Sequence, residues 1–539
     1  MPPEKEPDTA ATQLEAEVAD DPVPAESAGK MSHGEVIQAL SGLMLGMFVA
    51  ILASTVVSNA LPRIIADLGG TQSVYTWIVT TELLAMTATV PLWGKMADLY
   101  SKKLLIQLSL GLFVAGSLIA GFTPNVEMLI FSRVVQGIGA GGMTALAMIV
   151  MAAMIPPREL GRYSGMFGAV FGVATIAGPL IGGLLVDTSW LGWRWCFFIG
   201  VPFSVAAILL LQRTLHLPNV RRAVTIDWLG AALITAGVCD LLIWSTLAGN
   251  QFAWGSWETA AFVAGGVVLL GLAVLVESRA AEPIIPLSIF ANRTVSLTIV
   301  ASVLVGVAMF GGTVFLSQYF QISLGKSPTV AGLMSLPLIF GLLVSSTVAG
   351  QLITKYGRWK AYLVGGAAVM TGGMLLLSTI NAGTSVLTLS LYMVVLGVGV
   401  GMLMQNLVLA AQNDVPAQEL GATTSALTFF RSMGGAIGVS ALGAVLASRV
   451  TTLMAERFGP AAGGDGTATV PDLTTLPPPV RAIVADVYGQ ATAELFLVGG
   501  PIAALAVVAV LFIREKPLHT TSGDERRAQE EAAAGVPVH

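Results

Sequence analysis

Four ionisable side chains stand deep inside long apolar runs of this chain: Glu82, Arg133, Asp240 and Arg431. A charge near the middle of a bilayer costs about 2.5–3.5 kcal/mol on insertion scales, so residues of this kind have a use. Glu82 lies some eight residues into its run, roughly 12 Å deep at 1.5 Å per residue. Burial disfavours a carboxylate and a neighbouring arginine favours it. A glutamate held between these effects can take up and release a proton as its hydration changes. The proton-coupling candidates are therefore Glu82, with Arg133 as its modulating cation, and Asp240. A neutral Glu82 hydrogen-bonded between helices is the alternative, and for Asp240 a polar contact between helices is the preferred reading. Arg431 is expected to face the bundle interior, where lipid cannot reach it.

Other chemistry finds no support. Cys196 and Cys239 sit in apolar runs, and His33, His216, His519 and His539 are scattered, so no metal, cofactor or catalytic cluster can be assembled. A membrane enzyme is disfavoured for the same reason. A net charge of −5 leaves no basic footprint for nucleic acid.

The elements that must hold these residues are membrane helices. Of 539 residues, 55% are hydrophobic and 11% charged, against about 25% charged in a soluble domain. Fourteen of the 32 acids fall in residues 1–35 and 514–539, leaving the centre too apolar for water. A bilayer core needs about 20 apolar residues per helix. Fourteen runs qualify, the first two beginning near Ile37 and Val74 and the last two near Ala422 and Ala491. Basic residues gather in alternate loops, from Lys95, Lys102 and Lys103 through Arg158 and Arg213 to Lys355 and Lys360. The positive-inside rule then places both termini in the cytoplasm of a multi-pass protein of the cell membrane. Residues 1–35 read as a disordered cytoplasmic tail, 514–539 as a second tail, and 447–490 as a long extracellular loop.

The chain also repeats itself. Pro157-Arg158-Glu159-Leu160-Gly161 is echoed by Ala417-Gln418-Glu419-Leu420-Gly421, an offset of 260. At the same offset Gly137, Gly139 and Gly141 are echoed by Gly397, Gly399 and Gly401. Loop 94–103 has a fainter echo in 350–360, offset 256. The period predicts two parallel six-helix bundles, 36–217 and 281–513, with an inserted transmembrane hairpin at 218–280. Duplicated bundles that rock about a central site are a transporter pattern.

Here the sequence resembles the major facilitator superfamily, and within it the fourteen-span drug:proton antiporters of the EmrB/QacA type. Gly94-Lys95-Met96-Ala97-Asp98 with Lys102-Lys103 resembles the family's cytoplasmic motif, departing at Leu99 and Ser101. Arg133-Val134-Val135-Gln136-Gly137 resembles its span-four arginine motif. Gly168, Gly172, Gly178, Pro179, Gly182 and Gly183 resemble the span-five motif that marks antiporters. The span-one aspartate of the family is missing, Ala53-Ser54 preceding Thr55, and Glu82 stands where a tyrosine is common. The resemblance implies a proton-coupled exporter of bulky hydrophobic drugs or antibiotics that confers resistance. An exporter of an endogenous lipid or secondary metabolite is the alternative. A monomer is expected, with no cofactor and with small organic substrate, protons and the lipid bilayer as partners.

Within that frame Gly94, Asp98, Lys102 and Lys103 form a candidate cytoplasmic gate. A carboxylate at Asp98 can cap a helix N-terminus and latch one bundle to the other. The span-five glycines have small-x-x-x-small spacing and suit a tight, proton-proof seam. The candidate substrate cavity collects Thr55, Ser58, Asn59, Gln136, Gln318, Gln321, Gln405, Asn406, Phe430 and Arg431. Spans nine to thirteen carry Arg431 and no mid-membrane acid, which favours a neutral or weakly anionic substrate over a dication.

Overall fold

The computed structural model describes residues 33–68, 72–188, 191–215, 227–248, 252–280, 282–326, 328–458 and 477–533. The tail expected at 1–35 falls almost wholly outside them, as does 459–476 of the expected loop. The first bundle holds α1 (His33–Leu68), α2 (Gln72–Leu99), α3 (Lys102–Gly121), α4 (Val126–Met154), α5 (Pro157–Asp187) and α6 (Gly200–Thr214). Next come α7 (Trp228–Leu247) and α8 (Trp257–Glu277), then α9 (Arg293–Ile322), α10 (Leu336–Tyr356), α11 (Lys360–Leu377) and α12 (Val386–Gln412). The chain continues through α13 (Leu420–Phe458), α14 (Pro478–Leu511) and a short α15 (Gly523–Ala533).

Local signals set many helix starts. Asn125, Asp227, Ser256 and Ser385 each accept a hydrogen bond from the amide three residues on, at the N-termini of α4, α7, α8 and α12. Proline opens α5 and α14, where its missing N–H costs nothing. Gly357 ends α10 at φ 70°, a left-handed position that glycine adopts without strain.

Twelve stretches among the described residues are long and apolar enough to cross a membrane. α2 and α5, at 28 and 31 residues, are of spanning length but are not among the twelve. A count of fourteen therefore needs these two. α4 is the most enclosed of the twelve, with 83% of its apolar stretch buried, while α8 buries 11%.

α12 repeats in its bundle the place of α4 in the first. A Cβ at Gly141 would stand 2.6 Å from the Met86 carbonyl of α2, and one at Gly139 would stand 2.6 Å from the Phe113 amide of α3. Their echoes Gly401 and Gly399 press in the same way on Leu342 of α10 and Met370 of α11. The bundles meet along two seams, α2 against α13 and α5 against α10. The hairpin α7–α8 lies at the first of these, α7 touching both α2 and α13.

Two expectations need correction. The loop foreseen at 447–490 is helical at both ends, because α13 runs to Phe458 and α14 starts at Pro478. At 39 residues α13 is about 58 Å long, nearly twice the hydrocarbon thickness. Ion pairs Arg457–Asp486 (3.0 Å) and Arg449–Glu494 zip this extension to α14. The tail foreseen at 514–539 is no free appendage, for residues 515–530 lie hydrogen-bonded across the end of the bundle.

Candidate functional site

Glu82 is 5% exposed, on the face of α2 that meets α4. Gly137 makes the approach possible, since any side chain there would run into the Glu82 carbonyl and, at 2.9 Å, the Ala85 methyl. Arg133, one turn earlier on α4, reaches Glu82 Oε2 with Nη2 in a buried ion pair. Its Nη1 donates to Gln136 Oε1 at 2.7 Å and its Nε to the Ile78 carbonyl at 3.4 Å. Gln136 Nε2 in turn donates to Ser117 Oγ of α3 at 2.9 Å. The Phe197 ring lies 6.0 Å from the guanidinium. Three helices are thus joined by one chain of charged and polar groups, each satisfied by the next.

That arrangement has a chemical consequence. A proton on Glu82 competes with Arg133 for the same carboxylate oxygen. When the carboxyl is neutral, the guanidinium still has the Gln136 and Ile78 oxygens to hold it. Gln136, expected in the substrate cavity, is fully buried and positions Arg133 instead. Ser117 was not foreseen, since a serine in an apolar run carries no signal until its neighbour across the helix is known. Asp240 stands apart from this network. It lies within the hairpin, where a Cβ at Gly266 of α8 would stand 3.0 Å from its Oδ2. No hydrogen bond or ion pair links it to Glu82 or Arg133 among the described residues.

At one end of the first seam, Asp98 accepts from the amides of Gly421 (3.0 Å) and Ala422 (2.9 Å). It caps the N-terminus of α13, a helix of the other bundle, rather than that of its neighbour α3. Gly94 and Gly421 let the backbones meet, a Cβ on Gly421 falling 2.5 Å from the Gly94 carbonyl. Gly421 closes the echo of residues 157–161, and this was its only signal in the sequence. Lys95 is paired with Glu282 of the segment after α8, at 2.5 Å. Lys102 and Lys103 do not bridge the bundles directly: Lys102 pairs with Asp524 of the tail at 3.2 Å, and Lys103 donates to the Gln212 carbonyl at 2.7 Å.

The span-five glycines divide between the second seam and the first bundle's own packing. Gly172 of α5 is packed against the Ile339 side chain of α10 in the opposite bundle, and Gly178 against Thr55 of α1. The Thr55 hydroxyl has the carbonyls of Ile51, Leu52 and Ala174 within hydrogen-bonding distance, the first two on its own helix and the third on α5. Gly182 is buried, while the side-chain surroundings of Ser58, Asn59, Gly168, Pro179 and Gly183 fall outside the described residues.

The remaining polar candidates divide. Gln318 and Gln405 are half-buried on α9 and α12. Gln321 donates to Ser317 of its own helix. Asn406 is buried, with its amide nitrogen on the Met402 carbonyl and its Oδ1 without a hydrogen-bond partner among the described residues. Phe430 is half-buried and edge-on to Phe429 and Phe290 at 5.1 and 6.1 Å. Arg431 donates to the Met404 carbonyl at 3.4 Å and has no carboxylate partner among the described residues.

Comparison with known proteins agrees with this architecture. The profile of the Major Facilitator Superfamily matches residues 43–439. Multidrug transporter protein MdtP of Bacillus subtilis is 34% identical over 462 residues, 86% of this chain and 82% of the relative. Multidrug resistance protein 3 of the same organism is 28% identical over 499 residues, 90% and 97% of the two chains. Among solved structures, the human organic anion transporter MFSD10 superposes with TM-score 0.56 at 15% identity, covering 87% of this chain and 99% of its own. Duplicated bundles, apolar helices and these matches converge on one conclusion: the chain is a multi-pass membrane protein belonging to the Major Facilitator Superfamily.

Proposed function

We propose that the chain is a proton-coupled exporter of bulky, apolar, neutral or weakly anionic organic compounds, working across the cell membrane with both termini in the cytoplasm. The observation that carries the reading is the enclosed Glu82–Arg133 pair, whose carboxylate a proton and a guanidinium must share. The relatives named as multidrug proteins supply the cargo class. The Asp98 end is then the cytoplasmic end, closed in this conformation by the cap on α13.

In this cycle proton uptake by Glu82 frees Arg133 from its pair, and the α2–α4 contact loosens as the bundles tip. Release of the proton on the other side restores the pair. One proton crossing 100 mV supplies about 2.3 kcal/mol, enough for a gradient of roughly forty- to fiftyfold in a neutral solute.

The test is efflux from energised cells with and without a protonophore, for the wild type and Glu82→Gln. Wild-type efflux should collapse with the protonophore, and Glu82→Gln should lose uphill efflux by at least tenfold. Uphill export by Glu82→Gln at the wild-type rate, still abolished by the protonophore, would remove Glu82 from the mechanism. Export of bisquaternary dyes without export of neutral antibiotics would overturn the cargo assignment.

A further inference from the structure

The two seams are closed differently at the cytoplasmic end. Asp98 caps the start of α13. Its counterpart in the duplicated bundle, at the offset of 256, is Thr354. The Thr354 hydroxyl is bonded to Gly350 of its own helix and brings no charge to the start of α5. The amide of Arg158 at that start is met instead by the carbonyl of His519, from the C-terminal segment. The tail thus supplies an acceptor at the start of α5, as Asp98 supplies one at the start of α13.

The same segment is built into the bundle. Ser522 and Glu525 form a capping box that starts α15, with Glu525 N on Ser522 Oγ (3.2 Å) and Ser522 N on Glu525 Oε2 (2.8 Å). Gly523 sits between the bundles, a Cβ there falling 2.9 Å from Ala152 O and 2.8 Å from Leu420. Arg526 is 8% exposed and donates to the carbonyls of Gln412 and Val415, where α12 ends. Arg527, 6% exposed, donates to the Asp98 carbonyl at 3.4 Å.

Among the described residues the segment's hydrogen bonds and ion pairs to the two bundles differ in number. Toward the second bundle the segment binds Trp359 through Glu515, Asn413 through Pro517 and His519, and Ala417 through Glu530. Toward the first it has the Arg158 amide, the Lys102–Asp524 pair and the Arg527 bond to Asp98. We propose that residues 515–533 are a strap that travels with the second bundle and closes the cytoplasmic side, so that inward opening requires its release from the first bundle alone. This rests on the exporter reading for its direction.

The test uses Cys196→Ser/Cys239→Ser protein with paired cysteines joined by a reversible bis-methanethiosulfonate linker. Bridging Arg158→Cys to Thr520→Cys ties the strap to the first bundle and should cut efflux at least tenfold, restored by reductant. Bridging Gln418→Cys to Glu530→Cys ties it to the second bundle and should change efflux less than twofold. A readout independent of export is the distance between spin labels at Arg213 and Lys355, in Asp524→Ala/Arg527→Ala protein in nanodiscs. Its long-distance population should rise at least threefold, whatever is transported and whether or not Glu82 carries the proton. Full export by the protein bridged at 158 and 520, or an unchanged distance distribution in the double variant, overturns the strap.

Discussion

Gln136 shows how much a single side chain's role depends on what lies across the helix. Its amide oxygen takes one arm of Arg133 and its amide nitrogen is held by Ser117, so its orientation is fixed from both ends. Gln136→Ala would leave a buried guanidinium arm unpaired, a loss of about 1–3 kcal/mol and more for a charged group. The expected outcome is a lowered unfolding temperature of the purified protein in detergent, with an altered pH profile of efflux. Gln136→Glu should move the pH profile further, because a second carboxylate then competes for Arg133. A wild-type profile in both variants would leave Gln136 with packing alone. Glu82 and Arg133 were legible in the sequence because charge is so rare in apolar runs. Thr55, Gln136 and Asn406 were less legible, because a polar side chain in a helix looks alike whether it faces a cavity, a carbonyl of its own helix or another side chain. Spacing fixes a face of the helix and not what that face meets.

Among the helices, the glycine echo is the feature that sequence and structure share most fully. Gly137 and Gly397 occupy matching turns of α4 and α12, and a Cβ at either meets backbone, the Glu82 carbonyl in one case and the Leu338 carbonyl in the other. Backbone cannot yield as a flexible side chain can. Gly137→Ala and Gly397→Ala should therefore each reduce the yield of folded protein and cost about 1–3 kcal/mol. Gly111→Ala and Gly372→Ala, with open space around the added carbon, should match the wild type in the same thermal unfolding measurement. The strap was less legible. Its capping residues Ser522 and Glu525 stand in plain view, but the charged composition of 514–533 describes a solvated tail equally well, and only its partners on both bundles set it apart. It also brings a pH dependence. Burial, and secondarily the positive charge of Arg526, hold the His519 imidazole below its usual range near 6.5, against the opposing pull of a hydrogen bond with Asn413 and of the Glu530 and Asp414 charges. Docking therefore favours neutral His519. The strap's hold is full above pH about 6.5 and is lost below it, as the pH falls through the depressed value of the docked imidazole. Raising acidity on the cytoplasmic side from pH 7.5 to 5.5 should increase the long-distance population between labels at Arg213 and Lys355, and His519→Gln should blunt that response.

Taken whole, the molecule is a duplicated structure whose two copies are not used alike. Rocking needs seams that close and open as units, and at the cytoplasmic end one seam is closed by a carboxylate on a helix N-terminus, an arrangement favoured by both hydrogen bonding and the helix dipole. Asp98→Asn keeps the shape and one acceptor oxygen but removes the charge. Hydrogen bonds to charged groups contribute about 1.5–3 kcal/mol each, so losing one shifts a two-state equilibrium by about tenfold or more. Asp98→Asn should thus open the cytoplasmic end, read as a longer distance between labels at Arg213 and Lys355 and as faster labelling of buried cysteines placed along α2. The duplication then makes a stronger demand. If Thr354 stands at the second seam where Asp98 stands at the first, Thr354→Asp should supply a carboxylate to the start of α5 and recover part of the closed population in the Asp98→Asn background. The recovery should be larger in Asp524→Ala/Arg527→Ala protein, where the strap no longer competes for that helix end. If Thr354→Asp does nothing in either background, the two seams are not equivalent at the level of single residues, and the repeat describes helix packing without describing the gate.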